Sequence, residues 1–170
     1  MSCSRVVGAL ASLALAGSLA GCFQPLYGEA SHPGLVEDLR AIQVAPIKDR
    51  VGHYLADDLS ADLNGAGDAP PPKYRLTVTL SLGTQTPTVN SELNVATSAT
   101  VTAEANYTLN KVDGGAEVLK DKAVAAAAYD RSQQRYEGLR AARDAEIRLA
   151  RALSSEISLR VASALAGKNS

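Results

Sequence analysis

The chain has 170 residues, 46% of them hydrophobic, and its 17 Lys and Arg against 18 Asp and Glu give a net charge of −1. That is enough chain for one compact domain with its own core. The lack of a basic excess argues against a nucleic-acid partner.

The N-terminal residues read as a leader rather than as fold. Met1–Arg5 carries a single positive charge, and Val6–Leu19 is apolar apart from Gly, Ala and Ser. As a helix that run would rise about 20 Å, short of the roughly 30 Å hydrocarbon layer, so residues 1–21 are expected to be a cleaved signal peptide. Cleavage before Cys22 also removes Cys3, leaving one cysteine. A single thiol forms no internal disulfide, although the exported compartment permits them. Leu19-Ala20-Gly21-Cys22 resembles the lipobox of bacterial lipoproteins. The resemblance implies a diacylglycerol on the Cys22 sulfur and an acyl chain on the freed amine. Each buried CH₂ contributes about 0.8 kcal/mol, and stable anchoring takes more than one chain. Phe23, where inner-membrane lipoproteins often carry Asp, is compatible with outer-membrane sorting.

Residues 22–38 contain Pro25, Gly28, Pro33 and Gly34 with little periodicity, and are expected to form a lipidated tether. Leu39, Ile42 and Val44 predict a short strand ending near Pro46. Val51, Leu55, Leu59 and Leu63 recur every fourth residue, predicting an amphipathic helix with Asp49 as N-cap and Gly65 as stop. Pro70, Pro71 and Pro72 form a rigid connection. Tyr74, Leu76, Val78, Leu80 and Leu82 then alternate with polar residues, as on a half-buried strand. Gly83–Glu92 reads as a loop, and a second alternation runs from Leu93 to Leu109. Asp113-Gly114-Gly115 marks a hairpin. The return strand should cover Glu117–Tyr129, although Ala123–Ala128 has helical propensity. Leu139–Ala166 predicts the longest helix, with Leu149, Leu153, Ile157 and Val161 on one stripe and Gly167 at its end.

The order β-α-β-β-β-α predicts an α+β fold, with two helices on one face of a mixed, mostly antiparallel four-stranded sheet. It spans residues 39–167, with 168–170 as a tail. No catalytic constellation is visible. The only histidines are His32 and His53, and there is no zinc-type spacing, phosphate-cradling loop or nucleophile elbow. Asp57 and Asp58 are adjacent on a helix and point about 100° apart. A binding or assembly role is therefore expected, without enzymatic activity, metal or cofactor beyond the lipid on Cys22.

Several segments carry a more specific likeness. Gly21-Cys22-Phe23-Gln24-Pro25-Leu26-Tyr27-Gly28, Ile42-Gln43-Val44-Ala45-Pro46-Ile47 with Asp49-Arg50-Val51-Gly52, Tyr74-Arg75-Leu76-Thr77-Val78, and the last helix from Asp144 to Arg160 resemble the LPS-assembly lipoprotein family, LptE. One glycine of that family's usual start is missing after Cys22. The resemblance implies two helices on a mixed four-stranded sheet, and an outer-membrane β-barrel partner, LptD, in which such proteins sit as a plug. It also implies help in barrel assembly and in passing lipopolysaccharide to the outer leaflet. A surface for that phosphate-bearing lipid should use Arg or Lys. By analogy with where the family presents basic residues, the expected contacts are Lys111, Lys120, Lys122, Arg131 and Arg135. An auxiliary lipoprotein of an ABC-type lipid transport system is the competing reading, since it can have a similar size and layout.

Overall fold

The computed structural model describes residues 34–65, 70–86, 89–90, 95–96, 98–132 and 134–168. The chain enters through a short helix, α1 (Leu35–Arg40), followed by strand β1 (Ile42–Val44). Helix α2 (Arg50–Asn64) leads to β2 (Tyr74–Gln85). A small ribbon, β3 (Val89–Asn90) and β4 (Val95–Ala96), precedes the long strands β5 (Ser98–Lys111) and β6 (Glu117–Asp130). Helix α3 (Arg135–Lys168) closes the fold.

The main sheet has the order β1-β2-β5-β6. β1 runs parallel to β2, with Ile42 opposite Tyr74, and α2 supplies the crossover that a parallel pair needs. The other pairs are antiparallel, with Val78 opposite Tyr107 and Ala105 opposite Ala123. The β5–β6 hairpin turns through Gly114 and Gly115, whose φ of 79° and 65° favour residues without a Cβ. This is the predicted α+β fold, with β1 as the parallel strand of a mixed sheet.

One face of the sheet is the core. Tyr74, Leu76 and Val78 of β2 are buried there, with Leu76 opposite Leu109 and Val78 opposite Tyr107 of β5, and Ala123 and Ala127 of β6 complete the layer. Helix α2 buries its four-residue stripe of Val51, Leu55, Leu59 and Leu63. Helix α3 buries Ala145, Leu149, Leu153, Ile157, Val161 and Leu165, and it packs across β6 and against α2. Small side chains on β5 and β6 leave room for that long helix, which explains why an alanine-rich segment forms a strand despite its helical propensity. Two polar clips fix the helices. Arg50 grips Glu146 through Nε at 2.9 Å and Nη2 at 2.7 Å, and buried Ser154 donates to Asp62 at 2.7 Å.

Some boundaries differ from the sequence reading. Residues 35–38, expected in the tether, lie in α1, and the strand begins at Ile42 rather than Leu39. Six residues are too few to display a helical period, yet Leu35 is buried and Lys73 reaches Glu37 and Asp38 at 3.1 Å each. The segment expected as a loop after Gly83 begins as strand, since β2 continues to Gln85. Helix α3 starts at Arg135 rather than Leu139 and passes Gly167 to end at Lys168. Asp49 occupies the N-cap of α2 but makes no side-chain capping bond there.

Candidate functional site

The second face of the sheet is polar because the same alternation that buries one row exposes the other. Arg75, Thr77, Thr79 and Ser81 of β2 lie beside Asn110, Thr108, Asn106 and Glu104 of β5. Lys122 and Lys120 of β6 stand opposite Asn106 and Thr108. Of these residues, Thr77, Thr79, Asn106, Thr108, Lys120 and Lys122 line a depression of ≈ 350 Å³. Local hydrogen bonds order the polar face around it. Asn106 Nδ2 donates to Glu104 at 3.1 Å, and Arg75 Nη2 donates to Gln43 at 3.2 Å. Both lysine side chains are exposed, and neither has an ion pair among the described residues.

Beneath the lysines lies a charged clamp on the opposite side of β6. Arg160 of α3 hydrogen-bonds Asp121 and also donates to Glu156 at 2.7 Å. The Lys122 backbone N–H, and then Arg160, hold the Asp121 carboxyl below its usual range. Tyr107 is buried against this group, and burial first, with the Asp121 charge second, pushes its hydroxyl up to about 12. The clamp ties α3 to the strand that carries Lys120 and Lys122. The i,i+4 spacing of Glu156 and Arg160 is visible in the sequence, but the pairing of Arg160 with Asp121 is not, because the two are far apart in the chain and only the packing of α3 across β6 brings them together.

The five basic residues proposed from family analogy do not form one patch. Lys120 and Lys122 share the polar face and Lys111 lies at the hairpin end, opposite Tyr74. Arg131 follows β6 at its far end, and Arg135 is the first residue of α3 rather than a loop residue. Lys120 and Arg131 are eleven residues apart on an extended strand, on the order of 35 Å. No single headgroup spans that distance. Cys22 and the tether motif lie outside the described residues.

A second depression, of ≈ 560 Å³, opens on the helical side where α1, the end of α2 and α3 meet, lined by Val36, Leu39, Leu63, Asn64 and Leu159. Among the described residues, no cluster of three or more His, Cys, Asp or Glu side chains is placed to hold a metal ion. No described helix is long and apolar enough to cross a membrane.

No family model and no curated protein matches the chain. Among solved structures, it is similar to a Caulobacter crescentus protein described as a lipoprotein. The two share 25% sequence identity and a TM-score of 0.65, over 82% of this chain and 99% of that one. The chain has a lipoprotein fold. It also has a weaker likeness to a minor lipoprotein from Acinetobacter baumannii, with 14% identity and a TM-score of 0.49 over 72% of this chain and 88% of that one. Rare lipoprotein B from Shewanella oneidensis matches at 10% identity and a TM-score of 0.46, over 75% of this chain and 94% of that one. Matches this distant add no argument.

Proposed function

We propose that this chain is an outer-membrane lipoprotein, lipidated at Cys22, that plugs and helps assemble an LptD-type β-barrel and assists lipopolysaccharide delivery to the outer leaflet. No chemical step is assigned to it. The observation that carries the reading is the segment Gly21–Gly28, with Pro25-Leu26-Tyr27-Gly28 directly after the lipobox cysteine. It precedes a domain that shares its fold with nearly the whole length of the Caulobacter crescentus protein.

The polar sheet face fits such a role. Barrel lumens are polar, and this face offers Thr, Ser and Asn side chains from β2 and β5 over most of its length. On this reading the sheet face meets the barrel wall, the helices face away from it, and Lys120 and Lys122 are positioned for a phosphate. Lys111, opposite buried Tyr74 at the hairpin end, belongs to the other row of β5 and does not join them. Arg131 and Arg135 would serve a separate contact.

Affinity purification of the full-length tagged chain from detergent-solubilised outer membranes tests the reading. Recovery of one large β-barrel at near-equal stoichiometry supports it. Recovery of ABC-transport components, or of nothing from the outer membrane, overturns it and promotes the auxiliary-lipoprotein reading.

A further inference from the structure

β6 is the outer strand of the sheet, and β5 occupies only one of its sides. In an antiparallel pair, every second residue turns its backbone N–H and C=O to the neighbour, and the residues between turn theirs away. Two side chains show which set points away. The Lys122 N–H donates to Asp121 Oδ1 at 2.8 Å, and the Ala128 carbonyl accepts from Arg148 Nη2 at 2.9 Å. Both groups therefore face the open edge, and Val124 and Ala126 share their side. The Lys122 carbonyl, both backbone groups of Val124 and Ala126, and the Ala128 N–H remain open among the described residues.

Soluble proteins ordinarily guard such an edge with charges, proline or a bulge. Ala123–Ala128 has neither charge nor proline, Val124 is 57% exposed, and the irregularity in register lies at Leu109/Asn110, near the hairpin.

We propose that this edge pairs with the same edge of a second copy of the chain, antiparallel about a two-fold axis at Ala125. In that register Val124 stands opposite the partner copy's residue 126, and Lys122 opposite residue 128. Val124 and Ala126 then exchange both of their hydrogen bonds, and the Ala128 N–H donates to the Lys122 carbonyl. The bond left unformed, once in each half of the dimer, would join the Lys122 N–H to the Ala128 carbonyl, and those are the two groups already engaged by Asp121 and Arg148. A register moved by two residues sets an engaged group against an open one. Charge follows the same symmetry. Lys120 and Asp130 have no ion pair among the described residues, and the two-fold places them opposite each other at both ends. The surface is thus complementary to itself in hydrogen bonds and in charge, which distinguishes a second copy from an arbitrary extended peptide. The inference is independent of the barrel reading.

Disulfide capture in the cell envelope tests it with the full chain. Ala125 is self-opposed in a pair without mutual hydrogen bonds, where Cα atoms lie about 4.5 Å apart, within disulfide range. Ala125→Cys should give a band at twice the chain mass on a non-reducing gel. Thr79→Cys, which lies two strands in from the edge, and the unaltered chain should not. Proline is tolerated on an edge where its nitrogen faces outward. Adding Ala126→Pro removes two bonds per pair and should weaken association about thirtyfold, with unchanged circular dichroism. Should that variant fail to fold, charge exchange decides. In the Ala125→Cys background, Lys120→Asp should reduce the band, and adding Asp130→Lys should restore it. No band from Ala125→Cys, or one indifferent to both the proline and the charge changes, overturns the proposal.

Discussion

Alanine has two different tasks on β6, and substituting leucine at two positions separates them. Ala123 is 1% exposed and lies opposite Ala105, itself fully buried, on the face that α3 covers. Ala126 is three residues further on and exposed on the polar face. Leucine at Ala123 inserts three carbons where α3 already packs, and overfilling of that kind costs about 1–3 kcal/mol. For a chain of this size each kcal/mol lowers Tm by roughly 2–4 °C, so Ala123→Leu should melt about 3–10 °C lower. Leucine at Ala126 fits a strand better than alanine and meets solvent, so Ala126→Leu should be neutral or raise Tm slightly. Thermal unfolding followed by far-UV circular dichroism on the full chain in detergent measures both. Equal losses at the two positions, or no loss at Ala123, would refute the account of small residues as spacers for α3.

Three further outcomes follow from local geometry. Gly52→Ala improves intrinsic helix propensity by about 1 kcal/mol, yet a Cβ there would lie 2.7 Å from Ile47 Cγ2 and 3.1 Å from the Ile47 backbone carbon. Net destabilisation in urea titration is expected, and a gain would show that the α2 entrance relaxes freely. Asp49 holds φ 71° and ψ 166°, a region that costs about 1–3 kcal/mol for a residue with a Cβ. Asp49→Gly should therefore raise the urea midpoint, and a lowered midpoint would contradict the strain. Tyr107 keeps its proton up to about 12 in the fold, whereas an unfolded tyrosine loses it near 10. Its contribution is thus complete below about pH 10 and is lost as pH rises through about 12. Stability measured across this window should fall less in Tyr107→Phe than in the native chain, and identical slopes would refute the assignment.

The alternations of β2 and β5 were legible in sequence because burial on one face leaves a period of two in the residues. Val51, Leu55, Leu59 and Leu63 likewise announced α2. β6 was legible through its hairpin, not through its composition, since Gly114 and Gly115 commit the chain to return beside β5. Helix α1 was not, because tertiary burial of Leu35 and the Lys73 clip define it rather than any repeating pattern. The basic residues were named in one dimension, and only the strand register shows that Lys120 and Lys122 adjoin while Arg131 lies at the other end. The open edge of β6 was equally hidden. It depends on which backbone groups Asp121 and Arg148 occupy, and no residue pattern encodes that.

The proposed function turns on contact between the polar sheet face and a barrel wall. A photo-crosslinking residue at Thr79, in the middle of that face, tests it most directly in intact cells. A crosslink to one large outer-membrane β-barrel is expected, with none from the same residue placed at Arg151 on the exposed side of α3. Crosslinks to inner-membrane transport components from Thr79, or to the barrel only from Arg151, would contradict it.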